Sequence, residues 1–478
     1  MVRVIIGVDD RPHGMAFPLV AGAGVVEAED LRMAAPELES GAAGTRLLQY
    51  TLPNGLQILG QQMPDLESIS ACFHVRTGAR DEGDPQLFGV SHFLEHMVFK
   101  GTQRRDAEAI TLAFNNMGAE FNAFTSNEQT VYYARVLGEY LPQAVDLLSD
   151  MMRPRLDAKD FEMERNVILE EIARSEDVPT GQAYRKLLQT YFSGHALGHE
   201  VLGTRESIHD LTVEQMRDYA TRRYVANNLI FAIAGNFRWQ EVLDLVAEHC
   251  GAWQPGDAGR NALPHLPART QAQVYVKPQL KQQIMLLAWP SLSYEDPDLY
   301  AAELAAMVLG DSTGSRLFWN VFQKGLAETA VASLSAYDHT GMMVAFTSTT
   351  PDHAPGVLAL IQAELKAMQE DGPHEDELRR AKDKLISRVV LDGESAYSRM
   401  QDLAYTWVAE HRLRTIEDEV AEIEKVQLAD VRRVLDRFPF TAHQVLTAYG
   451  PLDSAALGVE GQDIREEDKR APTAGSQS

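Results

Sequence analysis

The chain has 478 residues, 45% hydrophobic and 24% charged, an ordinary globular composition that excludes collagen-like, coiled-coil and largely disordered architectures. Its 44 basic and 69 acidic residues give a net charge of −25, a field that repels phosphate backbones and argues against a nucleic-acid partner. Cys72 and Cys250 are too few for a disulfide framework or a thiolate zinc cluster, so a cytoplasmic, reducing setting fits and any metal must be held by nitrogen and oxygen.

Residues 1–44 are rich in Gly, Ala, Pro and Glu without periodicity and are expected to be a flexible tail with no targeting leader. From residue 45 the pattern changes to short, half-polar strands such as SISACFHVRTG and TVYYARVL, mixed with helices such as YLPQAVDLLSDMM. No run approaches the roughly 18 apolar residues of a membrane span. Residues 253–270, rich in Pro and Gly, read as a linker between a first domain, 45–252, and a second, 271–452; residues 453–478 read as a second flexible tail. The two halves look like copies. A helix, a turn, an apolar strand and a glycine run from Val213 to Gly235 and again from Leu428 to Gly450; both spans are 22 residues (235 − 213 and 450 − 428), at an offset of 215. The fold class expected is α+β twice over, each half an antiparallel sheet with one face packed on helices.

Chemistry concentrates in GVSHFLEHMVFKGT, Gly89 to Thr102. On a helix His92 and His96 project from one face, with Glu95 beside them, so two imidazoles can close on one metal ion; the string is the zinc-peptidase signature H-E-x-x-H in reverse. Two imidazoles leave a zinc site short of a third protein ligand, usually a carboxylate in hydrolytic sites. The candidate helix is DFEMERNVILEEIARSED, where Glu164, Val167, Ile168 and Glu171 share one stripe and Glu170, about 100° away, is the alternative ligand. His195 and His199 in SGHALGHE have ligand-like spacing, but the flanking glycines argue against a helix. DSTGSR, from Asp311 to Arg316, lacks the Gly-Lys-Ser/Thr of a phosphate loop, and the acidic EIARSED reads as a solvated face.

HFLEH, GAEFNAFTSNEQTVYY, ERNVILEEI, HALGHEVLG and the late GSRLF, in that order, resemble the pitrilysin-type inverted-motif zinc peptidases, in particular mitochondrial processing peptidase and its bacterial relatives. The resemblance covers about residues 45–450 and implies a zinc-dependent metalloendopeptidase with one Zn²⁺ per chain. It assigns His92, His96 and Glu171 as ligands, Glu95 as general base and Glu164 as support behind the ligands. It makes Asn122, Ala123, Phe124 and Thr125 an edge strand on which an extended peptide can add. It also implies that the two halves form half of a clam-shell chamber.

Active relatives of this kind carry an arginine and a tyrosine in the second half, in a stretch resembling R-E-K-x-G-L-A-Y. Here the segment is NVFQKGLAETA, Asn320 to Ala330, with Glu328 at the tyrosine position; nothing local recommends Tyr337 or Arg316 as substitutes. The expectation is therefore a metal-bearing subunit of a heterodimer, with a homodimer second. Its substrates would be peptides or unfolded segments, basic ones favoured by the negative field. The competing reading is a non-catalytic structural or peptide-binding subunit of a related complex.

Overall fold

A computed structural model describes residues 37–39, 45–260, 266 and 268–465. The first sheet has seven strands: β1 (Glu37–Glu39), β2 (Arg46–Thr51), β3 (Gln57–Gln62), β4 (Ser68–Val75), β5 (Glu120–Thr125), β6 (Thr130–Leu137) and β7 (Leu229–Gly235), in the order β1-β2-β3-β7-β4-β6-β5. The second has six: β8 (Gln271–Val276), β9 (Gln283–Ser291), β10 (Thr329–Tyr337), β11 (Thr340–Thr349), β12 (Val445–Gly450) and β13 (Gln462–Ile464), ordered β10-β11-β9-β12-β8-β13. Read from opposite ends, β3-β7-β4-β6-β5 and β8-β12-β9-β11-β10 are one topology used twice. The repeated sequence unit is its closing element: helices Val213–Arg223 and Leu428–Arg437 lead into β7 and β12, which end on Gly235 and Gly450.

The sheets are mixed rather than antiparallel. β3 pairs parallel with β7, β8 with β12, and β13 with β8. The first strand of each repeat lies beside its last, and the long stretch of chain between them allows the last strand to re-enter in the same direction. β7, apolar in sequence, is buried throughout: all seven residues of LIFAIAG are buried, as in a strand covered on both faces.

Both faces are covered because the halves exchange helices. One face of each sheet packs on its own helices. The other face of the second sheet receives the first half's helix Pro179–Tyr191, which inserts Ala183, Leu187 and Tyr191 among Ile284, Leu286, Val344 and Tyr449. Reciprocally, the second half's helix Ala396–Glu410 lays Ala396, Met400, Leu403 and Ala404 on Leu59, Cys72, Ile230 and Ala232 of the first sheet. The i, i+4 and i+8 spacing shared by these apolar residues makes one stripe per helix, and that stripe needs a partner.

Ordered structure also reaches into both stretches expected to be tails. Glu37–Glu39 pairs with β2, and beyond residue 452 Asp453 caps helix Ser454–Leu457, which buries Leu457 before β13 joins the sheet. The start of the expected linker is anchored too: the Arg153 guanidinium lies 3.8 Å over the Trp253 ring, and Arg260 grips Asp81. The rest of both tails and residues 261–265 and 267 of the linker lie outside the described residues.

Candidate metal centre

Helix Val90–Val98 carries the histidines, and its start is fixed from outside. Gly89 sits at φ 89°, a left-handed turn that an L side chain resists, and a Cβ there would meet Leu202 O at 2.7 Å. The free N–H groups of Gly89 and Ser91 donate to the buried Glu82 carboxylate, each at 2.8 Å, satisfying donors that a helix N-terminus leaves open. Phe93 stacks on Phe161 at 4.5 Å, binding this helix to helix Ala158–Glu176, which carries the glutamates.

Three groups converge between these helices. Glu171 Oε2 lies 3.8 Å from His92 Nε2 and 3.7 Å from His96 Nε2, and the three potential donor atoms all fall within 4.8 Å of one another. Glu171, not Glu170, faces the histidines; Glu170 is exposed. The expected stripe needs one correction: Glu164 and Ile168 are buried with Phe161 and Ile172, but Val167 turns to solvent, so Glu171 stands at the margin of the buried face.

Burial and the neighbouring His96 push His92 down to about 3, so it is a neutral imidazole with a lone pair available. Burial also opposes charge on His96, but the hydrogen bond to Glu164 and the charges of Glu95 and Glu171 outweigh it and raise its pKa. His96 Nδ1 meets Glu164 Oε1 at 2.9 Å, leaving Nε2 directed at Glu171, and the other Glu164 oxygen takes Lys100 Nζ at 2.5 Å. Burial works against the Glu164 charge, yet these two partners hold the carboxyl below its usual range. Two imidazole nitrogens and a carboxylate oxygen, with one imidazole oriented by a carboxylate behind it, form a donor set that fits zinc.

Glu95 lies on the same helix. Thr125 Oγ1 donates to Glu95 Oε2 at 2.7 Å, and burial, assisted by Glu171 and opposed by Thr125 and His96, raises its pKa. Asn122, Ala123, Phe124 and Thr125 all lie on β5, the edge of the first sheet, paired antiparallel with β6. The Ala123 N–H donates to its neighbour's Asn122 Oδ1 at 2.9 Å. Two roles were not read from the sequence: the Thr125 hydroxyl on Glu95, and Lys100 on Glu164. Lys100 follows His96 by four residues, a spacing that does place it on the same face; the Thr125 contact spans 30 residues and leaves no local signal.

The remaining candidates are held elsewhere. His199 stacks on Phe88 at 3.9 Å with Nε2 at 2.5 Å from Ala79 O, and His195 Nδ1 accepts from Leu197 N–H. Arg316 is clamped by both Glu377 oxygens and Tyr337 is 1% exposed in the core beside Phe192, so neither replaces the absent pair.

This fold and site define a paired-domain protein with an inverted histidine motif, and comparison with known proteins agrees. Residues 58–205 match the Insulinase (Peptidase family M16) domain, and residues 210–385 match the Peptidase M16 inactive domain. An uncharacterized zinc protease of Mycobacterium tuberculosis is 32% identical over 431 residues, covering 88% of this chain and 95% of that protein. The uncharacterized zinc protease YmxG of Bacillus subtilis is 30% identical, covering 84% and 98%. Among solved structures, a peptidase M16 inactive domain from Pseudomonas fluorescens superposes with a TM-score of 0.79 at 20% identity, covering 85% of this chain and 98% of that one. A chain of complex III2 from Candida albicans superposes at 0.74 with 16% identity, covering 86% and 98%. The chain belongs to peptidase family M16, and its relatives include bacterial zinc proteases.

Proposed function

We propose that this chain is the metal-bearing subunit of a cytoplasmic zinc metalloendopeptidase, binding one Zn²⁺ through His92, His96 and Glu171. The observation that carries the reading is the convergence of His92 Nε2, His96 Nε2 and Glu171 Oε2 beside Glu95. Zinc bound there would supply Lewis-acid polarisation of the scissile carbonyl and of water. Glu95, with its raised pKa, takes a water proton on its carboxylate and returns it to the leaving amine; Thr125 fixes the carboxylate for that transfer. Glu164 orients His96 and Lys100 balances the charge of Glu164.

Peptide substrate adds in extended form along Asn122, Ala123, Phe124 and Thr125, taking over the Ala123 N–H from Asn122. The clamped Arg316 and buried Tyr337 favour a heterodimer, in which a related subunit supplies the missing arginine and tyrosine and closes the chamber, over a homodimer. Peptides and unfolded segments enter such a chamber, basic ones drawn by the net charge of −25.

The test is cleavage of a quenched peptide library by purified protein, with and without chelator, beside Glu95→Gln. Chelator-sensitive cleavage abolished in Glu95→Gln establishes the peptidase and makes the homodimer sufficient. Stoichiometric zinc without turnover points to the partnered subunit or, if a supplied partner restores nothing, to a structural or peptide-binding role. Absence of zinc binding overturns the reading.

A further inference from the structure

Far from a typical surface pairing, the junction of the two halves holds a buried group of arginines and carboxylates. Arg80 contacts Glu128 and lies 2.7 Å from Asp338 Oδ2; Arg260 Nη2 lies 2.6 Å from Asp81 Oδ2; Arg223 Nη1 lies 3.6 Å from Asp81 Oδ1. That places three guanidiniums against three carboxylates. Arg76, at the end of β4, is the fourth guanidinium. It is 8% exposed, its Nε has no hydrogen-bond partner, and no carboxylate of the described residues ion-pairs with its side chain. Burial, with Arg260 nearby, pulls Arg76 down to about 10 against the smaller opposing pull of Asp338 and Asp81. A buried cation that makes no ion pair of its own is costly.

Arg76 lines a small cavity between the halves. Gln57, Leu229 and Ile230 form its wall from the first sheet, and Trp407 and His411 close it from the end of the exchanged helix Ala396–Glu410. The Gln57 side-chain oxygen is occupied by the Thr51 hydroxyl at 2.9 Å, which leaves its –NH₂ as the group able to donate. The cavity measures about 10 Å³, room for one water-sized particle. A tetrahedral oxyanion is too large, and a water carries no charge to pair with Arg76.

We infer that the cavity is a halide site, in which Arg76 binds a single chloride ion between the first sheet and the second half's helix. Chloride gives Arg76 an ion pair of its own within the available volume and meets donors of Arg76 and Gln57. Because walls from both halves enclose it, occupancy tightens their junction, and the site is independent of zinc and of the peptidase reading.

Two measurements on the full-length protein decide the matter. The first is thermal unfolding in sodium chloride, sodium bromide or sodium gluconate at equal ionic strength, for the natural chain and Arg76→Gln. Chloride and bromide should raise the melting temperature saturably, by about 2 °C at a tenfold excess over the dissociation constant. Gluconate should not, and Arg76→Gln should lose the difference. The second is anomalous scattering from crystals of the natural chain grown in bromide, which needs no variant to fold. A bromide peak beside Arg76 supports the site. Equal stabilisation by gluconate, an undiminished halide effect in Arg76→Gln, or no bromide at Arg76 overturns it.

Discussion

Glu95 and the groups around it divide their work so that single substitutions separate them. Glu95→Gln keeps the side chain's shape and the Thr125 contact but removes the proposed base, so zinc content should be unchanged while cleavage falls by about 10²–10⁴-fold; metal analysis beside peptide turnover checks this. Glu164→Ala removes the oxygen that orients His96, and should weaken zinc affinity by about 10–100-fold, measured by competition with a chromogenic chelator. His74 supplies a different kind of prediction. Burial, with Arg76 and Arg260 nearby, pushes it down to about 3, so the folded chain keeps it neutral while the unfolded chain protonates it near 6.5. The unfolded state therefore binds the extra proton in that window. Stability is fully present above pH 6.5 and should fall by roughly 1.4 kcal/mol per unit as pH drops towards 3. Denaturant unfolding across this range should show a shallower slope for His74→Gln.

The same helix exists twice and carries the candidate metal-facing residues once. Leu94, Met97 and Val98 recur as Leu304, Met307 and Val308 at an offset of 210 (304 − 94, 307 − 97, 308 − 98), which sets Ala302, Ala305 and Ala306 where His92, Glu95 and His96 stand. The partner helices correspond as well: Ala158–Glu176 and Glu375–Gly393 are each 19 residues, offset by 217 (375 − 158), so that Ala381 stands for Glu164 and Arg388 for Glu171. His92, Glu95, His96, Glu164 and Glu171 are thus all replaced in the second half, while the buried Phe161 and Ile168 persist as Leu378 and Leu385. Helix Leu299–Gly310 closes on β10 where Gly310 has no side chain: a Cβ there would stand 2.1 Å from Ala332 N. Gly310→Ala should therefore force the helix off the strand, costing about 1–3 kcal/mol by the usual scale of overpacking and lowering the denaturation midpoint.

Over the whole molecule, the exchanged helices make each half's core depend on the other. Leu187 belongs to the first half but is fully buried against the second sheet. Leu187→Ala should cost about 2–5 kcal/mol, and calorimetry should show one transition moving as a unit rather than a second-half transition moving alone. Further contacts across the junction point the same way: Arg399 Nε donates to Gln61 Oε1 at 2.8 Å, and Thr190 Oγ1 to Gln273 Oε1 at 2.6 Å.

The sequence by itself determined the α+β class, the repeat and the histidine-bearing helix, because each is written in local periodicity: i, i+4 spacing for His92 and His96, and a repeated helix, turn and strand ending at Gly235 and Gly450. It narrowed the third metal-facing residue to Glu170 or Glu171, and the family resemblance favoured Glu171. Only the tertiary structure turned Glu171 towards the histidines, since that depends on how two helices pack rather than on one helix's pattern. The parallel pairs, the exchanged helices and the Arg76 cavity were equally hidden. An apolar stripe states that a face is buried but not against which sheet, and a charge such as Arg76 is costly only once folding has removed both water and partner from it.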